Sequence, residues 1–190
     1  MIYIIRHGKT DLNSSKVLQG RSNHPLNKEG VLQAEKAAGK LHGIVFDHVF
    51  SSPLIRAVQT AKIVAPNNTI TIDARLIEMD YGPYEGCGLI NLPPEILTFF
   101  SDFINNPAPN GMESLRSVVE RTGSFIEEIR NISGNILIST HAIAMKGILE
   151  YLTLQSKRSY WSKFIGNCEI YTAQNINGSI SIPIPFPEAS

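Results

Sequence analysis

Ile2-Tyr3-Ile4-Ile5-Arg6-His7-Gly8-Lys9-Thr10 is an apolar β-type run that stops abruptly at Arg-His-Gly. Apolar residues in unbroken succession suit a strand covered on both faces. A strand ending in a guanidinium and an imidazole delivers both to the sheet edge, where open α/β folds bind ligands. Gly8-Lys9-Thr10 looks like the end of a nucleotide-cradling loop, but that loop needs a glycine five residues before Gly8, and Tyr3 stands there. A cysteine-based phosphatase needs an arginine six residues after its nucleophile. The positions six after Cys87 and Cys168 are Pro93 and Gln174, so that chemistry is absent too. Arg-His-Gly by itself fits an ordinary solvated strand end, and the rest of the chain has to decide.

The chain has 190 residues, enough to bury a sizeable core. A single domain over residues 1–190 is expected, with a short excursion at about residues 79–112 covering one end. Seventeen basic and seventeen acidic residues give a formal net charge of zero. No long-range field therefore favours nucleic acid or an anionic membrane, and anion binding must be local. Two cysteines far apart fit neither a disulfide framework nor a zinc site. The short apolar run before Arg6 lacks a basic leader, and no later run is long enough to span a bilayer, so a soluble cytoplasmic protein is expected.

Beyond the first strand, a polar loop carries Asn13, Gln19, Gly20 and Arg21, and Asn27 is placed to cap a helix with Val31, Ala34, Ala38 and Leu41 on its apolar face. Val45 to Phe50 reads as a second strand. It leads into Ser51-Ser52-Pro53, where serine before proline suits a helix start. Arg56, in the first turn of that helix, can point back toward the strand ends. Ile70 to Ile72 reads as a short strand, followed by a Gly/Pro-punctuated stretch holding Glu78, Asp80 and Glu85. One short helix is expected among Leu97, Phe99, Phe100, Phe103 and Ile104. Another begins after Pro109 to Ser114, with Leu115, Val118, Val119, Thr122, Phe125, Ile126 and Ile129 inward. Ile136 to His141 is a second apolar strand ending in a histidine, followed by a helix from Ala142 to Leu154. Parallel strands covered on both faces put His7 and His141 on one edge if the two are neighbours. Cys168 to Ala173 and Ile180 to Ile182 read as late strands at an antiparallel edge, with an extended Pro-rich tail at 182–187. His24, His42 and His48 read as structural or exposed.

As an ordered set, these residues resemble the histidine phosphatase, or phosphoglycerate mutase-like, superfamily. The matching pieces are Arg6-His7-Gly8 with Thr10 and Asn13, Leu26 to Gly30, Ser51 to Leu54 with Arg56-Ala57 and Gln59 to Ala61, Glu78 with Gly82 and Glu85-Gly86, Pro109 to Ser114, and His141. The resemblance implies a three-layer α/β/α sandwich with a mostly parallel central sheet and the site at the strand carboxyl ends. It implies His7 as phosphorylated nucleophile, Arg6, Arg56 and His141 around the phosphate, Asn13 as a further oxygen ligand and Glu78 as proton donor. No metal or other cofactor is implied. Ala142 stands where the family usually has glycine, so its methyl group could crowd a backbone N–H in the phosphate site. Asn27 and Asn23 replace the commoner threonine and aspartate.

The implied activity is hydrolysis of a small phosphate monoester through phosphohistidine. Phosphoglycerate mutase-type transfer and a non-catalytic phosphate-binding module are the alternatives. Between Arg75 and Arg116 the chain has no Lys or Arg, which favours hydrolysis; Tyr81, Tyr84, Phe99, Phe100 and Phe103 either contact a neutral or apolar alcohol portion or simply form the hydrophobic underside of the excursion. Expected partners are a small-molecule substrate, with neither nucleic acid nor membrane. The basic stretch from Lys157 to Lys163 reads as a solvated loop with one anchoring tryptophan, a partner surface being the alternative. Oligomeric state is not legible.

Overall fold

In the computed structural model, which describes residues 1–153 and 160–187, the chain folds around a sheet whose strands carry the apolar runs of the sequence. Strands β1 (Ile2–Arg6), β2 (His48–Ser51), β3 (Ile70–Ile72) and β4 (Ile136–Thr140) are mutually parallel in the order β3-β2-β4-β1. β5 (Ile170–Ala173) runs antiparallel to β1, and a two-residue β8 (Ile184–Pro185) pairs antiparallel with β5 at the outer edge.

Alternation along the central strands divides the core between two faces. Ile2, Ile4, Ile136 and Ile138 pack with Phe125, Ile126, Ile129, Met145 and Ile148, on the side of helices α5 (Leu115–Ile129) and α6 (Ala142–Leu152). Tyr3, Ile5 and Leu137 pack with Ala37, Leu41, Ala61 and Val64, on the side of helices α2 (Lys28–Lys40) and α3 (Ile55–Val64). This is the three-layer sandwich expected from strands that are apolar on both faces. Each fully buried Ile side chain contributes about 1.5–3 kcal/mol of hydrophobic stabilisation. A third cluster, with Met79, Tyr81, Leu92, Ile96, Phe99 and Ile143, joins helix α4 (Pro94–Ser101) to the start of α6. A four-residue helix α1 (Asp11–Ser14) follows the first strand.

Several boundaries differ from the sequence reading. Asn27 does cap α2, accepting the Gly30 N–H at 2.9 Å, but Ala37 rather than Ala38 joins Ala34 as a buried member of its stripe. α3 starts at Ile55, after an uncapped Leu54. Its first N–H is taken from outside the helix by Asn23 Oδ1 at 2.7 Å. α6 ends at Leu152, and Leu154 lies outside the described residues, as do Lys157 and Arg158 of the basic stretch. Ile180 does not join the main sheet. It sits in a separate hairpin of β6 (Asn175–Ile176) and β7 (Ser179–Ile180), turned at Asn177-Gly178, both at positive φ, as a tight hairpin turn requires. No helix among the described residues is long and apolar enough to cross a membrane.

Candidate active site

β1 and β4 are direct neighbours with Arg6 opposite Thr140, so His7 and His141 leave the sheet side by side. His7 N–H donates to the Thr140 carbonyl at 2.9 Å, and the two imidazole centres are 5.1 Å apart. Both residues are almost wholly buried.

The loop after His7 is pressed against the start of α2, and glycines at both contact points make this possible. A Cβ on Gly8 would lie 2.4 Å from the Gly30 carbonyl oxygen, and one on Gly30 would lie 2.0 Å from the Lys9 carbonyl oxygen. Thr60 Oγ1 receives the Gly8 N–H at 3.1 Å and donates to the Arg56 carbonyl at 2.8 Å, tying this loop to α3.

Arg56 is fully buried and organises the centre. Its Nε lies 3.2 Å from His7 Nε2 and 3.2 Å from His141 Nδ1. A guanidinium can only donate, so both of these ring nitrogens present lone pairs. The other ring nitrogens must then carry the protons. His7 Nδ1 lies 2.6 Å from the Gly8 carbonyl, and His141 Nε2 lies 2.7 Å from Ser52 Oγ. Both imidazoles are thus held neutral in defined tautomers. Burial first, and then the neighbouring arginines, push the pKa of each well below the ordinary imidazole value. Burial likewise lowers Arg56 to about 10, still cationic at neutral pH.

The rest of the Arg56 fork is fixed by the carbonyls of Ser22 (2.7 Å) and Gly20 (2.6 Å). That loop is itself shaped by Glu85, whose carboxylate accepts the N–H groups of Gly20, Arg21 and Ser22 at 2.9–3.3 Å. Glu85 therefore positions Arg56. Asp80 is similarly committed, to the Gly82 N–H and to Arg21.

Arg6 donates to the Ile165 carbonyl at 2.5 Å, while its buried Nε has no protein partner. Gln19 Nε2 and Ser22 Oγ are likewise buried and unpartnered. Arg6 ends β1 directly before His7, Gln19 and Ser22 lie in the loop that holds Arg56, and these groups suit a ligand rich in oxygen acceptors. Asn13 lies at the margin. Its Oδ1 caps α1 through the Thr10 N–H at 3.2 Å and is 3.5 Å from Asn167 Nδ2, which also donates to the His7 carbonyl at 3.0 Å. Its own Nδ2 reaches Gln19 Oε1 only at 3.5 Å.

Glu78 is 3% exposed. Its carboxylate receives the Met79 and Ala144 N–H groups at 2.9 and 3.0 Å and the Ile143 N–H at 3.2 Å. The acid therefore rests against the first turn of α6, the helix that begins at Ala142 directly after His141.

The fold thus brings His7, His141, Arg6, Arg56 and Glu78 to one edge, with Ala142 at the helix start and Asn13 peripheral. Ser52 escaped sequence reading because Ser-Pro is also a helix-start signal. Asn167 carries no local signal at all. Lys146 escaped because it approaches residues 79–112 from a distant helix: its Nζ sits 5.0 Å from the Phe103 ring centre. The lack of cations within that segment therefore does not describe the folded surroundings of the aromatics.

Residues 2–182 match the family described as histidine phosphatase superfamily (branch 1). The chain is 38% identical over 131 residues to "Fructose-2,6-bisphosphatase TIGAR" of Xenopus tropicalis, covering 65% of this chain and 47% of that protein. It is 30% identical over 152 residues to "Probable phosphoglycerate mutase GpmB" of Escherichia coli O1:K1, covering 76% of this chain and 70% of the relative. A solved structure of a mutant phosphoserine phosphatase from Entamoeba histolytica, in complex with phosphoserine, superposes with a TM-score of 0.82 at 25% identity, covering 98% of this chain and 94% of that one. With the family match spanning nearly its whole length, the chain belongs to branch 1 of the histidine phosphatase superfamily.

Proposed function

We propose that the protein hydrolyses a small phosphate monoester through a phosphohistidine on His7. The observation that carries this reading is the lone pair of His7 Nε2, 3.2 Å from Arg56 Nε, with Nδ1 tied to the Gly8 carbonyl. A neutral imidazole so oriented is a nucleophile toward phosphorus. Arg6 and Arg56 draw charge from the phosphoryl oxygens, His141 holds Arg56 Nε beside His7, and phosphoryl transfer depends chiefly on such positioning and electrostatic stabilisation. Asn13 and the N–H at Ala142 stand at the rim as further oxygen ligands. As the N–P bond forms and the ester P–O bond breaks, Glu78 gives a proton to the leaving alkoxide. The resulting carboxylate then takes a proton from the water that cleaves the phosphohistidine. Residues 79–112 form the cover over the leaving group, and the partner is a small molecule.

The test is steady-state hydrolysis of p-nitrophenyl phosphate by wild type and His7→Ala, both with excess chelator. Chelator-resistant turnover that disappears in the variant is expected. Turnover that survives in His7→Ala sinks the proposed nucleophile. The likeness to a phosphoglycerate mutase makes net phosphate release worth following as well, because transfer between phosphoglycerates without release favours the mutase reading.

A further inference from the structure

α6 leaves the catalytic edge at His141, and helical side chains lean toward the N-terminus of their helix. Lys146, one turn beyond Ala142, therefore leans back toward that edge. It is 7% exposed. Its Nζ donates to the Trp161 carbonyl at 2.7 Å and lies over the Phe103 ring. Glu78 and Glu150 act on it only through space, and burial lowers its pKa to about 8. At neutral pH it is thus a largely protonated ammonium with one carbonyl partner and two further hydrogens to donate.

Beside it lies a cavity of about 510 Å³ bounded by Phe100, Phe103, Lys146, Trp161, Lys163 and Phe164. Asp102 also lines it, but its carboxylate is engaged by the N–H groups of Ile104 and Asn105 and by the Asn105 side chain. The wall continues from Phe164 into Ile165, whose carbonyl holds Arg6. Glu78 and Arg6 also act electrostatically on Lys146, which sets this wall of the cavity near the catalytic edge. Apolar walls with a nearly buried cation are the makings of a site for a small organic anion.

We propose that this cavity receives the alcohol part of the substrate and that Lys146 selects monoesters bearing a carboxylate there over neutral ones. The proposal rests on the phosphatase reading above and replaces the neutral alcohol portion expected from residues 79–112 alone. A lysine serving only to pin Trp161 would affect every ester alike.

The experiment compares kcat/KM for phosphoglycolate and ethyl phosphate in wild type, Lys146→Met and Lys146→Arg. Methionine keeps an unbranched stem against Phe103 and removes the charge. Wild type should prefer phosphoglycolate by about ten- to a hundredfold, the scale of one charge-assisted hydrogen bond. That preference should collapse in Lys146→Met, mainly through KM, and return at least in part in Lys146→Arg. A wild-type ratio near unity, or an equal loss for both esters in Lys146→Met, overturns the proposal. If neither ester turns over and p-nitrophenyl phosphate is not hydrolysed either, the phosphatase reading fails separately. Calorimetric binding of the same two compounds to wild type and Lys146→Met then decides the selectivity: a wild-type preference lost in the variant supports it, and equal binding of both overturns it.

Discussion

The Ser52 hydroxyl lies 2.7 Å from His141 Nε2 and takes the Leu54 N–H at 3.3 Å, so one side chain fixes both the approach to α3 and an imidazole tautomer. Without that acceptor, His141 could move its proton to Nδ1, the nitrogen that now faces Arg56 Nε, and two hydrogens would then point at each other. Ser52→Ala should therefore lower kcat/KM for p-nitrophenyl phosphate about ten- to a hundredfold while the protein stays folded. Steady-state kinetics beside far-UV circular dichroism checks this; unchanged kinetics would show that Ser52 does not govern the ring. Arg56→Lys should be still more damaging, because an ammonium cannot meet two imidazoles and the carbonyls of Gly20 and Ser22 from one planar fork. A kcat within a few-fold of wild type would overturn that account. Gly30→Ala tests the contact beneath the nucleophile. Its methyl group would collide with the Lys9 carbonyl, which belongs to backbone and cannot swing aside. A loss of about 1–3 kcal/mol in denaturant unfolding is expected, together with lower activity.

At the scale of elements, α5 does more than cover the sheet. Glu113, just before its first turn, forms a two-pronged pair with Arg121 at 2.7 and 3.1 Å, and the two side chains are 8% and 16% exposed. Arg121 Nη1 also donates to the carbonyls of Arg75 and Ile77, both at 2.6 Å, the second immediately before Glu78. Burial opposes the charge on Glu113, but hydrogen bonds and the field of Arg121 outweigh it, so its pKa ends below the ordinary value. Glu113→Ala leaves a mostly buried arginine without its carboxylate and should cost about 3–5 kcal/mol. Glu113→Gln, which keeps the hydrogen-bond acceptor, should cost less; equal losses would show that charge pairing is unimportant there. The elements themselves were legible wherever one side of the chain repeats: the apolar runs of β1 and β4 and the stripe of α5 need only local periodicity. The start of α3 was not, because its cap, Asn23, is supplied from another loop. Ile180 does lie in an antiparallel strand, but away from the main sheet, because the Asn177-Gly178 turn closes a small hairpin of its own. His7, His141 and Arg56 could be picked out from strand ends and a helix start. Their tautomers, and the arrival of Lys146 beside Phe103, depend on contacts between distant segments that no local pattern encodes.

Over the whole molecule the charges cancel, yet the fold gathers two arginines and two neutral imidazoles at one edge. This arrangement has a consequence for folding as well as for catalysis. In the unfolded chain His7 and His141 take protons as pH falls through the ordinary imidazole value of about 6.5. In the folded protein both are held well below it, by burial first and then by neighbouring positive charge. Between those values the unfolded state binds more protons, so stability rises with pH and is lost as pH falls. Two such groups contribute a slope of at most about 2.7 kcal/mol per pH unit. The depressed carboxylates Asp73 and Glu113 act in the same direction, but only nearer the ordinary carboxylate range. His24, His42 and His48 are exposed and lie outside this cluster. Denaturant midpoints of the ligand-free protein should therefore fall steadily from pH 7.5 to pH 5. His7→Asn and His141→Asn should each remove about half of that dependence, whatever they do to the midpoint at pH 7.5, because an amide binds no proton in this range. A level wild-type profile would mean that the imidazoles are not kept neutral. A slope that survives in the double variant would place its origin in other groups and remove the basis for a nucleophile that remains unprotonated below pH 6.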